Sequence, residues 1–183
     1  LFIVAVAFPA LYSGLHDYQK KRVKDFLSEK PSYHVQQSII AIGSGGLMGQ
    51  SKDEATQTQM HFLPIATSDF IFAYVVERYG FLGAMVLITI YIFIILHLIS
   101  IYYWMKDDYL IKVVSSAIAF MIFIYMSLNI AMTIGLAPVV GLPLPMFSYG
   151  GSSFVTFIAL LALLENLLAF RFNHTYNTPK GLE

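Results

Sequence analysis

Gly135-Leu-Ala-Pro-Val-Val-Gly-Leu-Pro-Leu-Pro-Met-Phe-Ser-Tyr-Gly-Gly-Ser-Ser153 is the stretch that decides the fold. It lies inside Val113–Leu164, a run without a single Asp, Glu, Lys, Arg or His. A bilayer crossing takes about 20 apolar residues, so the run is too long for one span and comfortable for two. Pro138, Pro143 and Pro145 lack the N–H that a helix interior needs, so the break falls among them. Residues 113–136 and 153–170 are therefore expected as transmembrane helices, with 137–152 as a Pro/Gly loop between them. Irregular backbone near membrane depth is tolerated only where it is buried in protein or lines a wet cavity. Ser148, Tyr149, Ser152 and Ser153 bring hydroxyls to that place.

Composition agrees with this reading. The chain is 57% hydrophobic and only 12% charged. That charged share is about half the roughly 25% of a soluble domain. The expected fold is an all-α polytopic transmembrane helix bundle with a long loop carrying short amphipathic helices. Formal net charge is zero, so no basic field points to nucleic acid. There is no Cys, which excludes disulfides and thiolate metal sites.

Upstream of the uncharged run, residues 70–104 are expected as another transmembrane helix. Between Phe81 and Trp104 the only Asp, Glu, Lys, Arg or His is His97. Tyr102, Tyr103 and Trp104 make an aromatic belt at the far interface. Residues 105–112 read as a short polar turn. Residues 1–14 read as a truncated transmembrane helix, ended by Pro9 and Gly14, and 15–69 as a long loop. Residues 171–183 read as a polar tail.

Within the loop, Lys20, Lys21, Arg22 and Lys24 form a basic lip. Such a lip attracts phosphate, although a solvated helix face is the commoner use of a charge run. Val23, Phe26 and Leu27 fall at helical spacing and suit a membrane surface. From Tyr33 to Ile42, Val35, Ser38, Ile39 and Ile42 share one helical face, on a helix that also carries Gln36 and Gln37. Ile42-Gly-Ser-Gly-Gly-Leu-Met-Gly49 follows. Its glycines permit close backbone approach, and such a loop can turn N–H groups toward an anion. An unliganded turn is the ordinary alternative. No P-loop or dinucleotide pattern is present.

Asp69 stands where the polar loop meets the helix of 70–104. An acid at that place is costly unless it is used or solvated at the interface. Two uses are open: N-cap of the helix that follows, or a carboxylate with chemistry to do. Glu77 lies two helical turns beyond Asp69 and can share its face. Asn129, inside the span of 113–136, is expected to make an interhelical hydrogen bond. Counting crossings gives a geometric result. The helix after Asp69 leaves one face of the membrane, and the helix from Val113 returns to it. Asp69 and the Pro/Gly loop therefore share one side. Lys and Arg counts alone would put that side in the cytoplasm, but long loops translocate largely regardless of charge.

Tyr33-His-Val-Gln-Gln-Ser-Ile-Ile-Ala-Ile-Gly-Ser-Gly-Gly-Leu47, Phe62-Leu-Pro64, Asp69-Phe-Ile-Phe72 and the island from Pro138 to Ser153 together resemble the SEDS family (RodA, FtsW, SpoVE). The match runs in order from about Tyr18 to Phe170. Asn129-Ile-Ala-Met132 and Pro138-Val-Val-Gly-Leu-Pro-Leu-Pro145 look more like RodA than FtsW. The resemblance implies a C-terminal fragment: the last four of about ten helices, the first truncated. It implies peptidoglycan glycosyltransfer from lipid II in the bacterial cytoplasmic (inner) membrane, serving cell elongation and shape. It also implies that 15–69 and 137–152 are extracytoplasmic and that 105–112 and 171–183 are cytoplasmic. Asp69 matches the family's essential loop aspartate, which implies a general base in an inverting transfer. Substrate contacts are then expected from Gln37, Ser44, Gly45, Gly46, Glu77, Ser148, Tyr149, Gly150, Gly151 and Ser152. A divalent cation, Mg or Mn, and a class B penicillin-binding protein as partner come with the family. No metal ligands are assigned. Two departures stand out. The family's Pro-Glu-x-His-Thr-Asp reads Pro64-Ile-Ala-Thr-Ser-Asp69, and its Glu-Glu pair reads Glu77-Arg78. A lipid II flippase and a non-catalytic scaffold of a wall-synthesis complex are the alternative functions. A flippase needs polar groups at mid-membrane, and here His97 and Asn129 are nearly the only ones.

Overall fold

The computed structural model describes residues 16–28, 32–50, 68–105 and 108–177, with side chains as far as residue 170. The truncated span of 1–14, the Phe62–Pro64 motif, Lys30, Lys52 and Lys106 lie outside the described residues. Five helices are described: α1 Asp17–Leu27, α2 Tyr33–Gly45, α3 Ile71–Trp104, α4 Tyr109–Thr133 and α5 Gly151–Asn177. Three are long and apolar enough to cross a membrane: Ile71–Trp104, Tyr109–Thr133 and Gly151–Phe170.

The antiparallel pair α3 and α4 forms the body. Leu87, Tyr91, Leu98 and Ile101 of α3 pack with Ile111, Ile118, Ile122 and Met126 of α4. Where the end of α3 meets the start of α4, the Lys112 ammonium lies 5.7 Å from the Tyr102 ring centre, a cation–π contact that ties the two helix ends. Helix α5 meets α4 along a narrower seam, where the Phe157 and Tyr125 rings meet edge to face with centroids 5.3 Å apart.

Several bounds differ from the sequence expectation. Helix α4 starts at Tyr109 rather than 113, with Asp108 at its N-cap position and the Lys112 N–H already on the Asp108 carbonyl. It ends at Thr133 rather than 136, since Gly135 takes a left-handed φ of 78°. Helix α5 begins at Gly151, with the Phe154 N–H on the Gly150 carbonyl, and its backbone runs on to Asn177, past the expected end at 170. Nothing between Phe170 and Asn177 is a Gly or Pro that would stop it.

The largest departure is inside α3. At Gly80 (φ 68°, ψ −167°) the helix breaks, so its 34 residues are two helices joined at one residue. A break frees backbone donors that must be met elsewhere. The N–H groups of Phe81 and Leu82 donate to the carbonyls of Gly46 and Leu47, and the Gln50 N–H donates to the Glu77 carbonyl. The Gly-rich turn is thus the partner of the break. It fits because a Cβ at Gly45 would collide with the Val76 carbonyl, and one at Gly49 with the Arg78 carbonyl. A Cβ at Gly80 would in turn collide with the Leu47 carbonyl and the Gly49 nitrogen. Gly80→Ala is therefore expected to cost about 1–3 kcal/mol in backbone strain, with overpacking of about the same size added. The measurement is the thermal midpoint of the detergent-purified protein. An unchanged midpoint would contradict this role.

Helix α2 buries Val35, Ser38, Ala41 and Gly45. Ile39 was expected on that face but is 42% exposed; the seam follows the small residues that let α2 approach α3. The Ser38 hydroxyl, fully buried, donates to the Thr133 carbonyl at the end of α4.

Candidate active site

The Pro/Gly island, residues 135–150, folds back onto the bundle. Leu144 and Pro145 are buried, and the buried Tyr91 hydroxyl donates to the Pro145 carbonyl at 2.5 Å. Tyr91 lies eleven residues past Gly80, about 16 Å along the helix at 1.5 Å per residue. The island therefore descends between the helices rather than lying across their ends. Its tip turns through Met146, the only non-Gly residue with positive φ (59°) among those described. The Ser148 hydroxyl accepts the Leu144 N–H at 2.7 Å, and the Ser148 N–H returns to the Leu144 carbonyl. This hydroxyl satisfies the island's own backbone. Ser148→Ala would leave a buried N–H unpaired, at a cost of about 1–3 kcal/mol. A lowered thermal midpoint checks this; a hydroxyl held only for a ligand would leave the midpoint unchanged.

Asp69 meets the island here. No side-chain hydrogen bond caps the start of α3, and its N-cap position is Phe70, so the capping role open to Asp69 is not taken. The carboxylate is half-buried. Its Oδ1 accepts the Ser68 hydroxyl at 2.8 Å. Its Oδ2 faces Gly141, where a Cβ would lie 3.3 Å away. Gly141 has φ 73°, a conformation that suits Gly and leaves no side chain between the island and the carboxylate. The shared side that crossing number implies is thus a direct approach of Asp69 to Gly141.

Asn129 joins the two segments. It is fully buried, and its Nδ2 donates to the Asp69 main-chain carbonyl at 2.9 Å and to the Leu142 carbonyl at 2.7 Å. The expected partner was another helix; the observed partners are two loop carbonyls. The sequence signal was available, because Asn129 is the only Asn or Gln in the uncharged run. Arg22 brings the basic lip to the same island, donating to the Val139 carbonyl at 2.8 Å. Beneath it, Arg22, Asp25, Phe26, Val35, Gly135 and Pro138 line a cleft of about 100 Å³.

The other expected contact residues are placed as follows. Glu77 is fully buried beside the Gly-rich turn, away from solvent. The Ser44 hydroxyl returns to the Ala41 carbonyl of its own helix at 2.9 Å. Gly45 is buried as a packing residue, and Gly46 is exposed with open space around it. Gln37 is half-buried. Tyr149, Gly151 and Ser152 are exposed at the start of α5, with Gly150 half-buried beside them. Among the described residues no three His, Cys, Asp or Glu side chains come together.

Residues 1–173 match the family model described as "Cell cycle protein", which groups FtsW, RodA and SpoVE. The peptidoglycan glycosyltransferase MrdB of Helicobacter pylori strain 26695 is 64% identical over 179 residues, covering 97% of this chain and 47% of that protein. The same-named protein of Escherichia coli K12 is 37% identical, covering 92% and 47%. RodA of Treponema pallidum, also named a peptidoglycan glycosyltransferase, is 35% identical, covering 92% and 41%. The chain thus spans about half the length of these relatives. A chain of a solved peptidoglycan synthase complex, described as coordinating polymerization and crosslinking, superposes with a TM-score of 0.67 at 26% identity, covering 89% of this chain and 45% of that one.

Proposed function

The chain belongs to the family of FtsW, RodA and SpoVE, and from that premise we propose that the protein is a peptidoglycan glycosyltransferase that polymerises lipid II, with Asp69 as general base. The observation that carries this reading is the placement of Asp69. Its carboxylate is not spent on capping α3 and faces Gly141 of the island.

The donor is a sugar linked to a lipid pyrophosphate, and the acceptor is a sugar 4-hydroxyl. Turning an α-linked donor into a β-link requires inversion, hence one in-line displacement. The acceptor oxygen forms its bond to the anomeric carbon as the bond from that carbon to the pyrophosphate oxygen breaks. The hydroxyl proton passes to Asp69, and the electron pair leaves with the lipid pyrophosphate. A positioned base contributes about 10²–10⁴-fold to such a step. The departing charge calls for cationic stabilisation, and the lip of Lys20, Lys21, Arg22 and Lys24 is joined to the island through Arg22. Tyr149 and Ser152, exposed beside the island, are available to substrate, and Ser148 shapes the loop they leave.

The proposed setting is the bacterial inner membrane, during cell elongation, as the family resemblance implies. The complex named for the matched structure supports a class B penicillin-binding protein as partner. Purified full-length protein in liposomes with labelled lipid II tests the whole reading. Polymer is the expected product. Translocated lipid without polymer would make the protein a flippase, and neither outcome would make it a scaffold; each overturns the proposal.

A further inference from the structure

We infer that Asn129 is a positioning residue, holding the Asp69 main chain and the Gly141–Leu142 segment at a fixed separation so that the carboxylate keeps its approach to the island; this rests on the reading of Asp69 as base. A fully buried amide near the end of a membrane helix is costly. Here both of its donor hydrogens go to main-chain carbonyls of segments remote in sequence, Asp69 and Leu142. That pattern also settles the amide's orientation, since the flipped form would set its oxygen against two acceptors. The Oδ1 has no donor among the described residues. A buried acceptor left without a donor costs stability. A position kept for packing alone would carry an apolar side chain of the same size. The two donors are what this amide contributes.

The geometry makes the link specific. Asp69 is the entry residue to α3, Asn129 stands one turn from the end of α4, and Leu142 adjoins the glycine that faces the carboxylate. One side chain therefore sets how three segments meet at Asp69. Nothing in this arrangement asks Asn129 to touch substrate, so its effect passes through Asp69.

The test uses the full-length protein and labelled lipid II, comparing Asn129→Leu, Asp69→Asn and the double variant. Displacing a reacting group by about 1 Å can cost about 10²-fold in rate. Asn129→Leu is expected to lower kcat by about that factor, with KM little changed. In the Asp69→Asn background the same substitution is expected to have no further effect, because coupled residues lose function as a unit. A merely structural amide would lower both backgrounds alike. If Asn129→Leu does not fold, Asn129→Ser keeps one donor and is expected to show the same split in smaller measure. Wild-type kcat in a folded Leu or Ser variant, a loss carried by KM, or an additive double variant overturns the inference. Failure of the base reading is seen separately, as polymerisation that survives Asp69→Asn alone.

Discussion

Asp69→Asn in the full-length protein is expected to lower lipid II polymerisation by about 10²–10⁴-fold while leaving the fold intact. The substitution preserves side-chain volume and removes only the basic oxygen. The Asn129 bond to this residue is made to its main-chain carbonyl, so the clasp persists. The Ser68 hydroxyl can still donate to the amide oxygen in place of Oδ1. No helix cap is lost, because Asp69 does not cap α3. The thermal midpoint is therefore expected to match wild type. Steady-state rates on labelled lipid II provide the measurement, and a rate within a few-fold of wild type would remove Asp69 from the chemistry.

Gly141→Val is the second large effect. At φ 73° a β-branched residue is strained, at a cost of about 1–3 kcal/mol. Its Cβ would stand 3.3 Å from the Asp69 Oδ2, and the methyl groups would press further on the carboxylate. The expectation is a drop in thermal midpoint together with a loss of about 10²-fold in polymerisation rate, the scale set by small misplacements of a reacting group. Gly135→Val is the control. Gly135 also has positive φ, 78°, but a Cβ there meets only the ends of the Ile39 and Val35 side chains, at 3.4 Å. It carries the backbone strain without the contact to Asp69. Equal activity losses in the two variants would show that the neighbourhood of Gly141 and Asp69 is not what the substitution disturbs.

The three spans were legible because apolar length is a local property, written continuously in residues 70–104, 113–136 and 153–170. The approach of Asp69 to the Pro/Gly island was legible only as parity: an even number of crossings returns the chain to the same side. Which atoms then meet is a tertiary matter. The break at Gly80 was hidden, since one Gly in a long apolar run looks like a tolerated helix residue. Its meaning lies in the carbonyls of Gly46 and Leu47, more than thirty residues upstream. The Gly-rich turn left two uses open, N–H groups turned toward an anion or an unliganded turn, and sequence does not show that in the fold its carbonyls receive donors and its missing side chains admit the α3 backbone. Asp69 showed the residue type of a cap, but the packing of the island gives its carboxylate a different neighbour. Asn129 was recognised as a buried donor, yet spacing says nothing of a carbonyl reached across a loop. Ser148 read as a free hydroxyl because sequence does not show that the Leu144 N–H beside it needs a partner.

In the proposed mechanism Asp69 takes the proton of an incoming sugar hydroxyl beside the island. A structure of the full-length protein with an unreactive lipid-linked donor and an acceptor glycan tests it most directly. The acceptor 4-hydroxyl is then expected within hydrogen-bond reach of the Asp69 carboxylate, about 2.6–3.2 Å or through one water, with Gly141 closing the far side. A carboxylate turned toward acyl chains, or an acceptor hydroxyl seated against another residue with Asp69 out of reach, would contradict it.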